Sequence, residues 1–168
     1  MVDIQTVSVM LASASVIAGV IYYALQVRHQ ARTRQDMVKT RQAEILMRLH
    51  SAFSTKEMSE ACLKYMSTEY KDYDDFVEKY GSPIAEGQVQ TVFLMMAMFF
   101  EGIGVLLKNK LVDLNLVIEL FTVEMFWLKL KPLAEGIRKQ INNPQIYEWF
   151  EYLYNEMKKR EQEGVKNS

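Results

Sequence analysis

Glu101 is the one ionisable side chain in an otherwise uncharged stretch from Val89 to Leu107. A carboxylate set among apolar residues can serve as a general acid or base, because removal from water raises its proton affinity. At helical spacing it shares a face with Gln90, Ala97, Gly104 and Lys108, so a partly polar seam crosses an apolar helix. The competing reading pairs it with a Lys or Arg of a neighbouring helix, or sets it at a bundle edge. Other chemistry is sparse. His29 and His50 are 21 residues apart on one expected helix and cannot share a metal ion within a chain. Glu119 and Glu124 fall on different helix faces, and no Glu-x-x-His pair accompanies them. Cys62 is the only cysteine, which excludes an intramolecular disulfide and a thiolate metal cluster within one chain. There is no Gly-rich phosphate loop, nucleophile elbow or H-E-x-x-H motif. No catalytic, cofactor or metal residue is assigned, and an enzyme using Glu101 is the lesser reading.

The elements that would carry these residues are helical. Gly and Pro number 7 and 3 in 168 residues and Met numbers 11, a composition that favours helix over sheet and predicts an all-α chain. Between Asp3 and Arg28 run 24 uncharged residues, IQTVSVMLASASVIAGVIYYALQV. About 20 apolar residues cross a hydrocarbon core, so the length predicts one membrane-spanning helix. A basic n-region and a small-x-small cleavage site are both missing, so the segment reads as a retained anchor. Arg28, Arg32, Arg34, Lys39 and Arg41 follow it directly, and the positive-inside rule puts the body in the cytoplasm with the first residues outside. The same side chains are candidates for lipid head groups.

Small residues recur four apart along the anchor, as Ser8 with Ala12, Ala14 with Ala18 and Ser15 with Gly19, a spacing at which two membrane helices can pack closely. Self-association through that face is one expectation. The expected function is a membrane-anchored cytoplasmic interaction or sensing module, and the alternative is a homo-oligomeric pore lined by Ser8, Ala12, Ser15 and Gly19.

Residues 28–53 contain no Gly or Pro and predict a basic helical stalk that continues the anchor. Ala31, Val38, Ile45 and Ala52 fall seven apart there, with Arg34, Arg41 and Arg48 between them. Residues 54–160 predict a helical bundle, and 161–168 a polar tail. Within the bundle, Ser54 with Glu57 reads as a capping box, and a short helix runs from Tyr73 to Tyr80 before Gly81. The apolar run around Glu101 reads as a buried central helix in preference to a second membrane pass, since a mid-helix carboxylate costs about 2.5 to 3.5 kcal/mol on insertion. Asp113 opens a helix that Pro132 should end or kink, and Asn143 with Pro144 should open the last one. WFEYLYNEM in that helix suits burial, with a partner-binding face as the other reading.

Residues 28–50 hold six basic and two acidic side chains, whereas 51–168 hold fourteen and eighteen. An acidic body behind a basic collar argues against nucleic acid as a partner. The expected partners are membrane lipids, a second copy and a cytoplasmic protein.

The juxtamembrane YYALQVRHQARTRQ, the central FFEGIGVLLK, the KPLAEGIRK around the proline and the closing WFEYLYNEMKKRE carry a resemblance over nearly the whole chain. It resembles a prokaryotic family of single-pass membrane proteins with a cytoplasmic helical domain of unknown function. The resemblance implies a prokaryotic plasma membrane and brings no catalytic residues.

Overall fold

A computed structural model describes residues 3–166; the side chains of residues 4–18, 165 and 166 lie outside that description. The described residues form seven helices: α1 (Ile4–Phe53), α2 (Lys56–Ser67), α3 (Tyr73–Tyr80), α4 (Gln88–Lys108), α5 (Leu114–Leu120), α6 (Val123–Ile141) and α7 (Glu148–Lys166). No strand occurs among them, in line with the all-α expectation. The chain divides into two compact units, Met1–Arg41 and Gln42–Ser168.

In the first unit every described side chain from Gly19 to Arg41 is exposed. The second unit is built on α4. This helix is apolar nearly all round, and Phe93, Met96, Ala97, Phe100 and Ile103 bury one side of it against α2, α6 and α7. Among the described residues α4 is also the helix long and apolar enough to cross a membrane, a test that the core helix of a bundle passes equally. The expected N-terminal span falls largely on residues 4–18 and so lies outside the described side chains.

The bundle begins earlier than the helix signals imply. Leu46 is 1% exposed, and Ile45, Leu49 and Phe53 pack beside the core. The last turns of α1 therefore belong to the bundle, ahead of the boundary expected at residue 54 and in place of a solvated stalk. Phe53 lies 4.9 to 6.1 Å, ring to ring, from Phe99, Phe100, Phe121 and Phe126, within the range of favourable aromatic pairing.

Several expected helix ends move. The cap of α2 is Thr55, whose hydroxyl accepts from Met58 N at 3.2 Å; the Ser54 hydroxyl instead donates to His50 O at the end of α1. Asp113 does open α5, accepting from Asn115 N and Leu116 N, but the helix stops at Phe121 rather than at Pro132. Extended backbone there buries Phe121 among Phe53, Phe99 and Phe100. Pro132 sits inside α6 without ending it. The carbonyl that its missing N–H leaves free belongs to Leu128, a half-exposed residue within reach of water. The last helix starts at Glu148, not at Asn143, whose side chain accepts from Gln145 N in a preceding turn. It also runs on to Lys166, through the expected polar tail.

Candidate functional site

Glu101 meets α7 at its first turn. Its Oε2 accepts from Phe150 N at 2.8 Å and its Oε1 from Trp149 N at 3.3 Å. The reason lies in the helix that it meets. Four N–H groups at the start of any α-helix have no partner within that helix, and a capping side chain usually takes one or two. In α7 the residue before the helix is Tyr147, which has no side-chain acceptor near the backbone and lies in the left-handed region at φ 58°. Glu148 N donates to Gln145 O and Glu151 N to Tyr147 O, each at 3.1 Å. The remaining two are those held by Glu101. The cap of α7 thus comes from another helix.

Neighbours on the same face of α4 make that approach possible. A methyl group at Gly104 would collide with the carbonyl of Trp149, so only glycine lets the two backbones come this close. One turn on, the Lys108 ammonium lies 5.7 Å from the Trp149 ring and 5.5 Å from the Tyr152 ring, within cation–π range. Nearer the start of α4, the buried amide of Gln90 donates to Tyr80 O at 2.6 Å and ties down the end of α3. The seam thus faces inward from Gln90 to Gly104 and reaches the surface at Lys108, and Gln90 and Glu101 hold the ends of two other helices.

Burial pushes the Glu101 carboxyl above the ordinary glutamate range. The N–H groups of Phe150 and Trp149 pull it down, Glu148 adds to the rise and Arg138 opposes it, but desolvation prevails. Arg138 sits across the α6–α7 connection. Its Nε donates to Ile146 O at 2.9 Å, its Nη1 lies 2.8 Å from Glu151, and its buried Nη2 has no hydrogen-bond partner among the described groups. The expected pairing of Glu101 with a Lys or Arg is not found: its direct partners are backbone amides. Both oxygens are engaged, and what they do in this geometry is hold a negative charge at the positive end of a helix.

Other candidates are dispersed. Arg28, Arg32, Arg34, Lys39 and Arg41 are exposed on α1. Gly19 has open space around it, whereas the side chains of Ser8, Ala12, Ala14, Ser15 and Ala18 lie outside the described residues. His50 sits 6.2 Å from the Phe121 ring. No group of three His, Cys, Asp or Glu side chains is placed to hold a metal among the described residues. Of the WFEYLYNEM segment, Phe150, Leu153 and Met157 are buried, which fits packing. An open groove of about 570 Å³ between α3 and α6 is lined by Asp72, Asp74, Glu135 and Lys139, with the Tyr73 ring lying across Gly136.

Sequence reasoning missed a second polar network. The Tyr65 hydroxyl donates to Phe126 O at 2.7 Å, that of Tyr70 to Lys129 O, and Lys129 Nζ to Met66 O at 3.0 Å, so α6 is pinned to α2 and the loop after it. Burial raises both phenols and lowers the Lys129 ammonium. Tyrosine at core spacing reads as apolar filling, and nothing in its sequence neighbourhood marks the carbonyl that it will reach.

The fold is that of an all-α protein whose bundle is assembled on one apolar helix. A family model described as a domain of unknown function, DUF4760, matches residues 11–157, and the chain belongs to that family. The match starts inside α1 and takes in all of the bundle up to Met157. No curated protein and no solved structure matches the chain.

Proposed function

We propose that the chain is a membrane-tethered interaction or sensing module, with residues 4–27 as a retained anchor and the bundle on the cytoplasmic side of a prokaryotic plasma membrane. The observation that carries this reading is the composition of α1. A single helix, Ile4–Phe53, holds 24 successive uncharged residues followed at once by Arg28, Arg32, Arg34, Lys39 and Arg41, all of them exposed. That order gives a span of adequate length and a basic end, which stays on the cytoplasmic side. Anionic head groups suit the collar, at about 1 kcal/mol per cation near the surface. On the body, Leu94, Met98 and Val105 form an exposed apolar row along α4, 40% to 57% accessible, which fits an interaction role.

Fractionation of cells expressing the full chain tests the reading. The protein should stay in membranes after an alkaline carbonate wash, and a C-terminal reporter active only in the cytoplasm should be active. Recovery in the soluble fraction, or an inactive cytoplasmic reporter on a membrane-bound chain, would overturn it.

A further inference from the structure

We infer that α1 pairs in parallel with α1 of a second copy of this chain, along the row Tyr23, Gln26, Gln30, Thr33, Met37 and Thr40. These residues alternate at spacings of three and four, the period of a two-stranded coiled-coil seam. The row holds no charge. Arg28, Arg32 and Lys39 fall on the opposite side of the helix, where they remain free for lipid head groups. Every member is exposed in the single chain, Met37 to 65%.

Two observations make a second copy the occupant. The first is the state of the threonines. Thr33 Oγ1 donates to His29 O at 3.0 Å and Thr40 Oγ1 to Asp36 O at 2.9 Å, so both hydroxyls are satisfied within their own helix and can enter an interface without a new partner. The second is charge. Asp36 precedes Met37 on one flank of the row, and Arg41 follows Thr40 on the other. In a parallel pair, flanking residues five apart face each other across the seam, which sets Asp36 of each copy against Arg41 of the other, twice by symmetry. The pair one heptad earlier, His29 with Arg34 of the second copy, adds no attraction. An antiparallel pairing would set the Arg34 and Arg41 flank against itself, so charge selects the parallel form. The row seven apart through Ala31, Val38 and Ile45 is a poorer seam, because Ile45 already packs against the bundle core.

The inference rests on the anchor reading, since two chains inserted the same way are already parallel. The test uses the full chain in native membranes with Cys62→Ser as background. Facing seam positions bring Cα atoms within disulfide reach, about 4.4 to 6.8 Å. Met37→Cys should cross-link on mild oxidation, severalfold more than Lys39→Cys on the outer face. Adding Asp36→Arg to the Met37→Cys chain should lower the cross-linked fraction severalfold, and adding Arg41→Asp as well should restore it. Equal yields at the two positions, or no rescue by the swapped pair, overturn the seam. If carbonate-washed membranes retain a chain that does not cross-link, the seam fails and the anchor stands. If the chain is soluble, both fail.

Discussion

At the scale of single residues, Glu101 sets two effects against each other. Its charge is favoured by two N–H groups and the helix end behind them, and opposed by loss of water. Because the second prevails, the folded state holds the proton more tightly than the unfolded chain does. The contribution to stability is then fully present below the ordinary glutamate value of about 4.3 and is lost as pH rises through the raised folded value. Glu101→Gln keeps one acceptor and carries no charge, so this component of the pH dependence should vanish from the variant and appear as the difference between the two proteins. Glu101→Ala leaves two helix-end donors without their partner and should cost about 1 to 2 kcal/mol. Urea denaturation of all three proteins between pH 4 and 8 separates these outcomes. A Gln variant that tracks the wild type at every pH would show that Glu101 does not carry the titration.

Among the elements, helix existence follows from composition and periodicity, whereas helix ends are decided by contacts distant in sequence. The α3 helix is legible from end to end: Asp72 caps it by accepting from Asp75 N, and Gly81 closes it in a positive-φ conformation. The start of α7 is not legible at all, because its cap comes from a residue 49 positions away. The break at Phe121 is hidden for the same reason, since the rings that it packs among come from α1 and α4. Glu101 stands out in the sequence as a charge out of place, but its partners are backbone groups, which no pattern of residue types reveals. The cap of α2 lies between these extremes, since Ser54 and Thr55 are adjacent and both are able to cap. Thr55→Ala should therefore lower stability by about 1 kcal/mol, whereas Ser54→Ala should change it by much less. Thermal melts of the two variants decide between the positions, and equal losses would mean that the end of α1 matters as much as the start of α2.

For the molecule as a whole, the boundary that matters falls within a helix. The compact unit begins at Gln42, whose amide donates to Lys110 O at 3.0 Å, and not at the end of α1 after Phe53. Between those points α1 contributes Ile45, Leu46, Leu49 and Phe53 to the core. The long helix thus has two environments: the described side chains of residues 19–41 are exposed, and residues 42–53 contribute to the bundle core. A chain beginning at Gln42 should fold alone, with one cooperative thermal transition and the helicity expected for the bundle. A chain beginning at Ser54 loses all four apolar residues and uncovers the rings of Phe99, Phe100, Phe121 and Phe126 that Phe53 touches. Removal of the Leu46 side chain alone, as Leu46→Ala, should cost about 2 to 5 kcal/mol, a large part of the stability of a domain this size. The shorter chain should therefore lose its cooperative transition and expose apolar surface to a hydrophobic dye. Equal melting of the two chains would place the boundary at the end of α1 and return residues 42–53 to the stalk.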